Sequence, residues 1–175
     1  MKSKGACTLS ILLLIAVSIS AAIAQSPDEI DERVSRLVEE YMNTKDALVH
    51  NRHDLAEAWA VRLETSIATT PNDIFGEDGD EPLSIWQGIQ GAMMDGVGGV
   101  IESEDLAGQR DGLLVISEQL WNLIQEFGNP GETLYVISCD TYADEEVVWL
   151  NDSPQVANPY HGPENSGCGE VIAEL

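Results

Sequence analysis

Leu120-Trp-Asn-Leu-Ile-Gln-Glu-Phe127-Gly-Asn-Pro-Gly131-Glu-Thr133-Leu-Tyr-Val-Ile137 holds the point at which this chain changes its periodicity. Before it, Leu106, Leu113, Leu120, Leu123, Ile124 and Phe127 recur at helical spacing and mark one apolar face. Gly128-Asn129-Pro130-Gly131 then ends the helix, since neither glycine nor proline continues it. After it, Thr133 to Ile137 and Glu146 to Leu150 are runs of β-branched, aromatic and apolar residues that favour strands. The polar stretch from Asp140 to Glu145 between them reads as a turn.

Working towards the N-terminus, three more apolar stripes appear. Leu83 to Ile101 carries Trp86, Ile89, Met93, Val97 and Val100 on one side. Its glycines at 88, 91, 96, 98 and 99 lower helix propensity, so they either admit a close neighbour or let the helix end fray. Thr70 to Pro82, with two prolines and five acids, is a loop. Its Asp78-Gly79-Asp80 does not have the spacing of a twelve-residue calcium loop. Leu55, Trp59, Leu63 and Ile67 form a second stripe, with Asp54 as its expected cap. Ile30, Val34, Leu37, Val38, Tyr41 and Leu48 form the first, led in by Ser26-Pro27-Asp28-Glu29. The expected helices are 28–50, 54–69, 83–101 and 104–127, the last capped by Ser103. Four amphipathic helices on short connections predict a mainly α protein: an antiparallel four-helix bundle with a small C-terminal β-hairpin and an irregular tail.

Residues 1–24 read as a secretory signal. Lys2 and Lys4 precede an apolar run from Leu9 to Ile19, and Ala22-Ile23-Ala24 is a small-residue cleavage site. Residues 25–175 then form a single domain of ordinary size, exported into the periplasm. The signal holds two of the eight basic residues and none of the 31 acids, so its removal shifts the net charge from −23 to about −25. A surface so negative repels nucleic acid and anionic lipid. Its bland explanation is solvation in salt, where carboxylates keep the protein dispersed.

Chemistry is concentrated in the tail. Cys139 ends the first strand, Cys168 lies between Gly167 and Gly169, and His161 sits in the turn Asn158-Pro159-Tyr160-His161-Gly162. In an exported chain two cysteines form a disulfide, worth about 3–4 kcal/mol for a loop of this size, or supply thiolates to a soft metal with the imidazole as third ligand. Both readings stand at this level. Met93 lies on a core stripe and reads as packing, as does Trp149 within its strand. His50 and His53 flank the first interhelix turn, where helix-end roles account for them. The chain has no Gly-x-Ser-x-Gly elbow, phosphate-binding glycine loop, His-Glu-x-x-His or Cys-x-x-Cys, which argues against an enzyme.

These tail residues resemble a bacterial periplasmic domain of unknown function, found alone or fused to the adaptor subunits of copper/silver efflux pumps. That family has a valine-tyrosine strand leading to Cys-Pro-Met, a Trp-Leu strand, Asn-Pro-Tyr-Phe-Gly, and Met-x-x-Cys-Gly. Tyr135 and Val136 before Cys139, then Trp149-Leu150, Asn158-Pro159-Tyr160, Gly162 and Cys168-Gly169 carry the likeness. Upstream, Tyr41 to Val49 with Lys45-Asp46-Ala47-Leu48 is similar to the family's first helix, and Asp105 to Leu120 with Gln109-Arg110 and Ser117 to its last. The resemblance implies a helical bundle, a place in periplasmic heavy-metal handling, and a heavy-metal efflux adaptor or other periplasmic protein as partner. It also implies metal ligands at Cys139 and Cys168; with His161, which the family lacks, as the third, the expected ion is Cu(I) first and Zn(II) second. The departures are Asp140-Thr141 where the family has Pro-Met, His161 for its Phe, and Asn165 near its second Met. Both thioethers are thus missing and an imidazole is added, which shifts the set from the softest donors. The alternative is a disulfide-stabilised structural or interaction domain that binds no metal.

Overall fold

The computed structural model describes residues 27–129, 131–142, 145–165 and 167–175. The leader read at 1–24 lies outside them. Among the described residues are four helices: α1 (Pro27–Val49), α2 (His53–Thr69), α3 (Glu81–Glu102) and α4 (Leu106–Phe127). They pack as the expected bundle, in which α1 touches α2 and α4, and α3 lies between α2 and α4. None is long and apolar enough to cross a membrane. The stripes read from the sequence supply the core, with Val34, Leu37, Tyr41 and Leu48, then Trp86, Met93 and Val97, then Leu113, Leu120 and Leu123 buried; in α2 Leu63 and Ile67 are buried with Ala56 and Ala60, whereas Leu55 and Trp59 are only half-buried.

The helix ends differ from expectation in two places. Asp105, not Ser103, caps α4: its carboxylate accepts the Gly108 N–H at 2.9 Å. Ser103 instead closes α3, donating its hydroxyl to the Gly99 carbonyl at 2.6 Å. Asp54 is likewise not a cap, because α2 begins one residue earlier, at His53. The α3 glycines resolve in favour of close approach, and α3 runs unfrayed to Glu102. A β-carbon on Gly112 of α4 would stand 2.6 Å from the Gly96 carbonyl oxygen and 2.7 Å from the Val100 nitrogen. Backbone therefore meets backbone here, which only hydrogen side chains permit.

The predicted hairpin is present, as β1 (Tyr135–Tyr142) and β2 (Glu145–Asn151), antiparallel with Ile137 opposite Trp149 and Cys139 opposite Val147; β1 runs into the expected turn, so Cys139 lies within the strand and not at its end. The tail, however, is not wholly irregular. Its end forms β3 (Glu170–Glu174), antiparallel to β1, so the sheet has three strands in the order β2-β1-β3. Glu170-Val-Ile-Ala-Glu174 is too short and too flanked by charge for a periodicity reading to separate it from coil; pairing with β1 decides it. Ile137, Cys139, Val147, Trp149 and Leu150 join the helices in one hydrophobic core.

A buried hydroxyl chain fastens sheet and tail to the bundle. The Leu150 N–H donates to the Tyr41 hydroxyl at 3.1 Å, which lies 2.8 Å from Ser117 Oγ. Ser117 Oγ is 3.3 Å from the Tyr160 hydroxyl, which donates to the Val148 carbonyl at 2.8 Å. The single Tyr160 proton is shared between the Val148 carbonyl and the more distant Ser117 oxygen, and one further proton serves the Tyr41–Ser117 contact. The chain connects α1, α4, the tail and β2.

Candidate functional site

The tail is folded around Asn158. Its buried side-chain oxygen accepts the N–H groups of Tyr160 (2.8 Å) and His161 (3.0 Å), and its amide donates to the Cys168 carbonyl at 2.9 Å. An asparagine before proline is suited to this, because its side chain can imitate a backbone turn. One residue thus sets the His161 turn against the Cys168 segment.

Arg110 of α4 holds the same turn from outside. Its Nε donates to the Pro159 carbonyl at 2.8 Å and an Nη to Asn51 Oδ1 at 2.6 Å. Partial burial lowers its pKa from the ordinary guanidinium value. Asn51 has φ 55° and closes α1, a conformation asparagine tolerates better than most residues. Gly162, at φ 64°, presses on this pair; a β-carbon there would lie 2.5 Å from Asn51 Oδ1. Here Gly is required both by backbone conformation and by space.

The result is that Cys139 and Cys168 meet. Their Cα atoms are 5.7 Å apart and their sulfurs are bonded at 2.06 Å. A ring nitrogen of His161 and both sulfurs lie within 4.8 Å of one another. Cys139 is 4% exposed, while Cys168 and His161 are half-buried. Tyr142 stands edge-on to the His161 ring at 6.2 Å and donates its hydroxyl to Asp111 at 2.8 Å. Burial, then the bond to Asp111, pushes the Tyr142 pKa well up, and burial does the same for Tyr160, so both phenols stay protonated. Both cysteines also line an open cleft of about 500 Å³, together with Ser138, Asp140, Glu146 and Glu170. Ser138 donates to Glu146 across it at 2.7 Å.

The donor chemistry fits a soft or borderline cation in one oxidation state. As a disulfide the sulfurs are poor ligands. As a dithiol they become two thiolates beside an imidazole, and a shared ion needs such donors roughly 3.5–4 Å apart, not far below the observed spread. The three residues proposed from the sequence are therefore neighbours, and the disulfide is also formed. Sequence reasoning did not assign the parts that assemble them: Asn158, Arg110, Ser117 and the Tyr41 hydroxyl. It also missed Lys45, which is 2% exposed and donates from α1 to Asn151 Oδ1 at the end of β2. Its signal was available, because Lys45 lies between Tyr41 and Leu48 on the core stripe.

No curated protein and no solved structure matches the chain. A family model described as a protein of unknown function, DUF3347, matches residues 37–132, more than half of the chain. The match spans the bundle from α1 to the end of α4 and stops before β1, so Cys139, His161 and Cys168 lie outside it. On that match, this chain belongs to the DUF3347 family of proteins of unknown function.

Proposed function

We propose that this chain is an exported, non-enzymatic metal-binding protein of the periplasm, in which Cys139, Cys168 and His161 hold a soft cation. Cu(I) is the first choice and Zn(II) the second, and the setting is an accessory role beside a heavy-metal efflux system. The observation that carries the reading is the convergence of two sulfurs and one imidazole nitrogen within 4.8 Å. A disulfide alone needs no imidazole at that distance. Two thiolates are soft donors and an imidazole a borderline one, a set that selects Cu(I) by softness and also accepts Zn(II). Binding would release the thiol protons, so affinity falls as pH falls.

The test is competition for Cu(I) against a colorimetric chelator, using the reduced protein. One equivalent should bind, and Cys139→Ser, Cys168→Ser and His161→Ala should each weaken binding by ten-fold or more. Unchanged affinity in all three variants would dismiss the site.

The formed Cys139–Cys168 bond favours a second reading, a structural or interaction domain with a locked tail and no metal. On that reading Cys139→Ala/Cys168→Ala should cost about 2–5 kcal/mol of stability. His161→Ala should cost little, and Cu(I) should not bind.

A further inference from the structure

We infer that the Cys139–Cys168 bond is a reversible thiol switch. It opens through the acidic cleft beside it, and it discriminates between reductants by their charge. The inference rests on the metal-binding reading for its purpose, but its mechanics stand on separate observations.

The first is access. Both cysteines border the open cleft, but Cys168 is only half-buried whereas Cys139 is nearly sealed. An incoming thiolate therefore reaches Cys168 Sγ. A new S–S bond forms there, the old one breaks, and Cys139 leaves as a thiolate that takes up a proton. A second thiol group of the reductant then attacks the mixed disulfide. Cys168 is released, and the reductant departs as its own disulfide with the two electrons transferred. Closure is the reverse exchange with a disulfide donor.

The second is that the fold does not depend on the bond to keep the sulfurs together. β3 pairs with β1, and Leu134 and Leu175 exchange two backbone hydrogen bonds at 3.1 and 2.8 Å. Asn158 holds the Cys168 carbonyl, Arg110 holds Pro159, and Tyr160 is held by the buried hydroxyl chain. Reduction thus yields an assembled dithiol beside His161 rather than a detached tail. A bond whose role was only to fasten the tail would duplicate these contacts.

The third is charge. Asp140, Glu146 and Glu170 line the approach to the sulfurs. They repel a thiolate that carries further negative charge and favour one that carries an ammonium. The same carboxylates draw cations to the opened site.

The test begins without metal. The folded protein is treated at low ionic strength with cysteamine, 2-mercaptoethanol or mercaptoethanesulfonate at matched thiolate concentration, and free thiols are counted by alkylation and mass spectrometry. Cysteamine should react on the order of ten-fold faster than the sulfonate. That ratio should shrink towards one in the Asp140→Asn/Glu146→Gln/Glu170→Gln variant and in molar NaCl. Reduction only above the unfolding transition, equal rates for all three thiols, or a ratio the triple variant leaves unchanged would each overturn the proposal. A second arm measures Cu(I) uptake by oxidised protein and by protein folded in reductant. Charge-selective reduction without Cu(I) uptake would reject the metal reading and leave the switch standing. Cu(I) uptake by pre-reduced protein whose disulfide resists reduction while folded would keep the site and reject the switch.

Discussion

Ser117 is the residue on which four elements converge. Fully buried on α4, its hydroxyl pairs with that of Tyr41 on α1 and accepts from that of Tyr160 in the tail. Ser117→Ala is nearly isosteric, yet it leaves two phenols without their buried partner. It should cost about 1–3 kcal/mol in urea unfolding, with the tail tyrosine losing order first. His53 offers a residue-scale pH test. Its Nε2 is 3.0 Å from the Ser103 carbonyl oxygen and its Nδ1 is 3.3 Å from the Asp54 carboxylate. The Ser103 carbonyl, then the Asp54 bond, raise its pKa. A raised folded-state pKa means that protonation stabilises the fold. That contribution is complete below the unfolded value of about 6.5 and is lost as pH rises through the folded one. The urea midpoints of wild type and His53→Ala should therefore differ more at pH 5.5 than at pH 9.

At the scale of elements, α3 and α4 are set by the glycines that face each other. Gly112→Ala would drive a methyl group into the backbone of Gly96 and Val100, where no side chain can rotate away. The helices must separate, at a cost of about 1–3 kcal/mol or more. Gly91, exposed on the same α3, has no atom within 4 Å of its would-be β-carbon. Gly91→Ala should stabilise by about 0.5–1 kcal/mol through helix propensity alone. Thermal melts of the two variants should move in opposite directions. Equal shifts would mean that the close contact is not what positions these helices.

Over the whole molecule the dominant physical quantity is its charge, −23 over the full chain. Few ion pairs offset it among the described residues; Arg36 with Glu32 at 3.3 Å is exposed and worth little. Self-repulsion opposes the compact state, and salt screens it within a Debye length of about 8 Å at 0.15 M. The melting temperature should rise by several degrees between 10 mM and 1 M NaCl. A flat or falling profile would show that the carboxylates are spaced widely enough not to matter.

What the amino-acid order determined is what is periodic and local. The apolar stripes of α1 to α4 are visible because a helix returns a side chain to the same face every three to four residues. The stop at Gly128 to Gly131 and the strand character of Thr133 to Ile137 and Glu146 to Leu150 are local in the same sense. The three site residues were legible as types: two sulfurs and an imidazole in one short tail. Their meeting was not, because it depends on Asn158 reaching Cys168 and on Arg110 reaching Pro159, contacts between segments that no spacing rule connects. The same holds for β3, whose five residues become a strand only against β1, and for Ser103 and Asp105, where two adequate caps compete and packing chooses. Lys45 shows the limit most directly. Its charge gave no hint of burial, yet the Asn151 amide oxygen at the far end of β2 and the Asp46 carboxylate at 2.8 Å hold its ammonium in the interior. Local sequence sets which faces are apolar; the polar contacts that join distant segments exist only once those faces have packed.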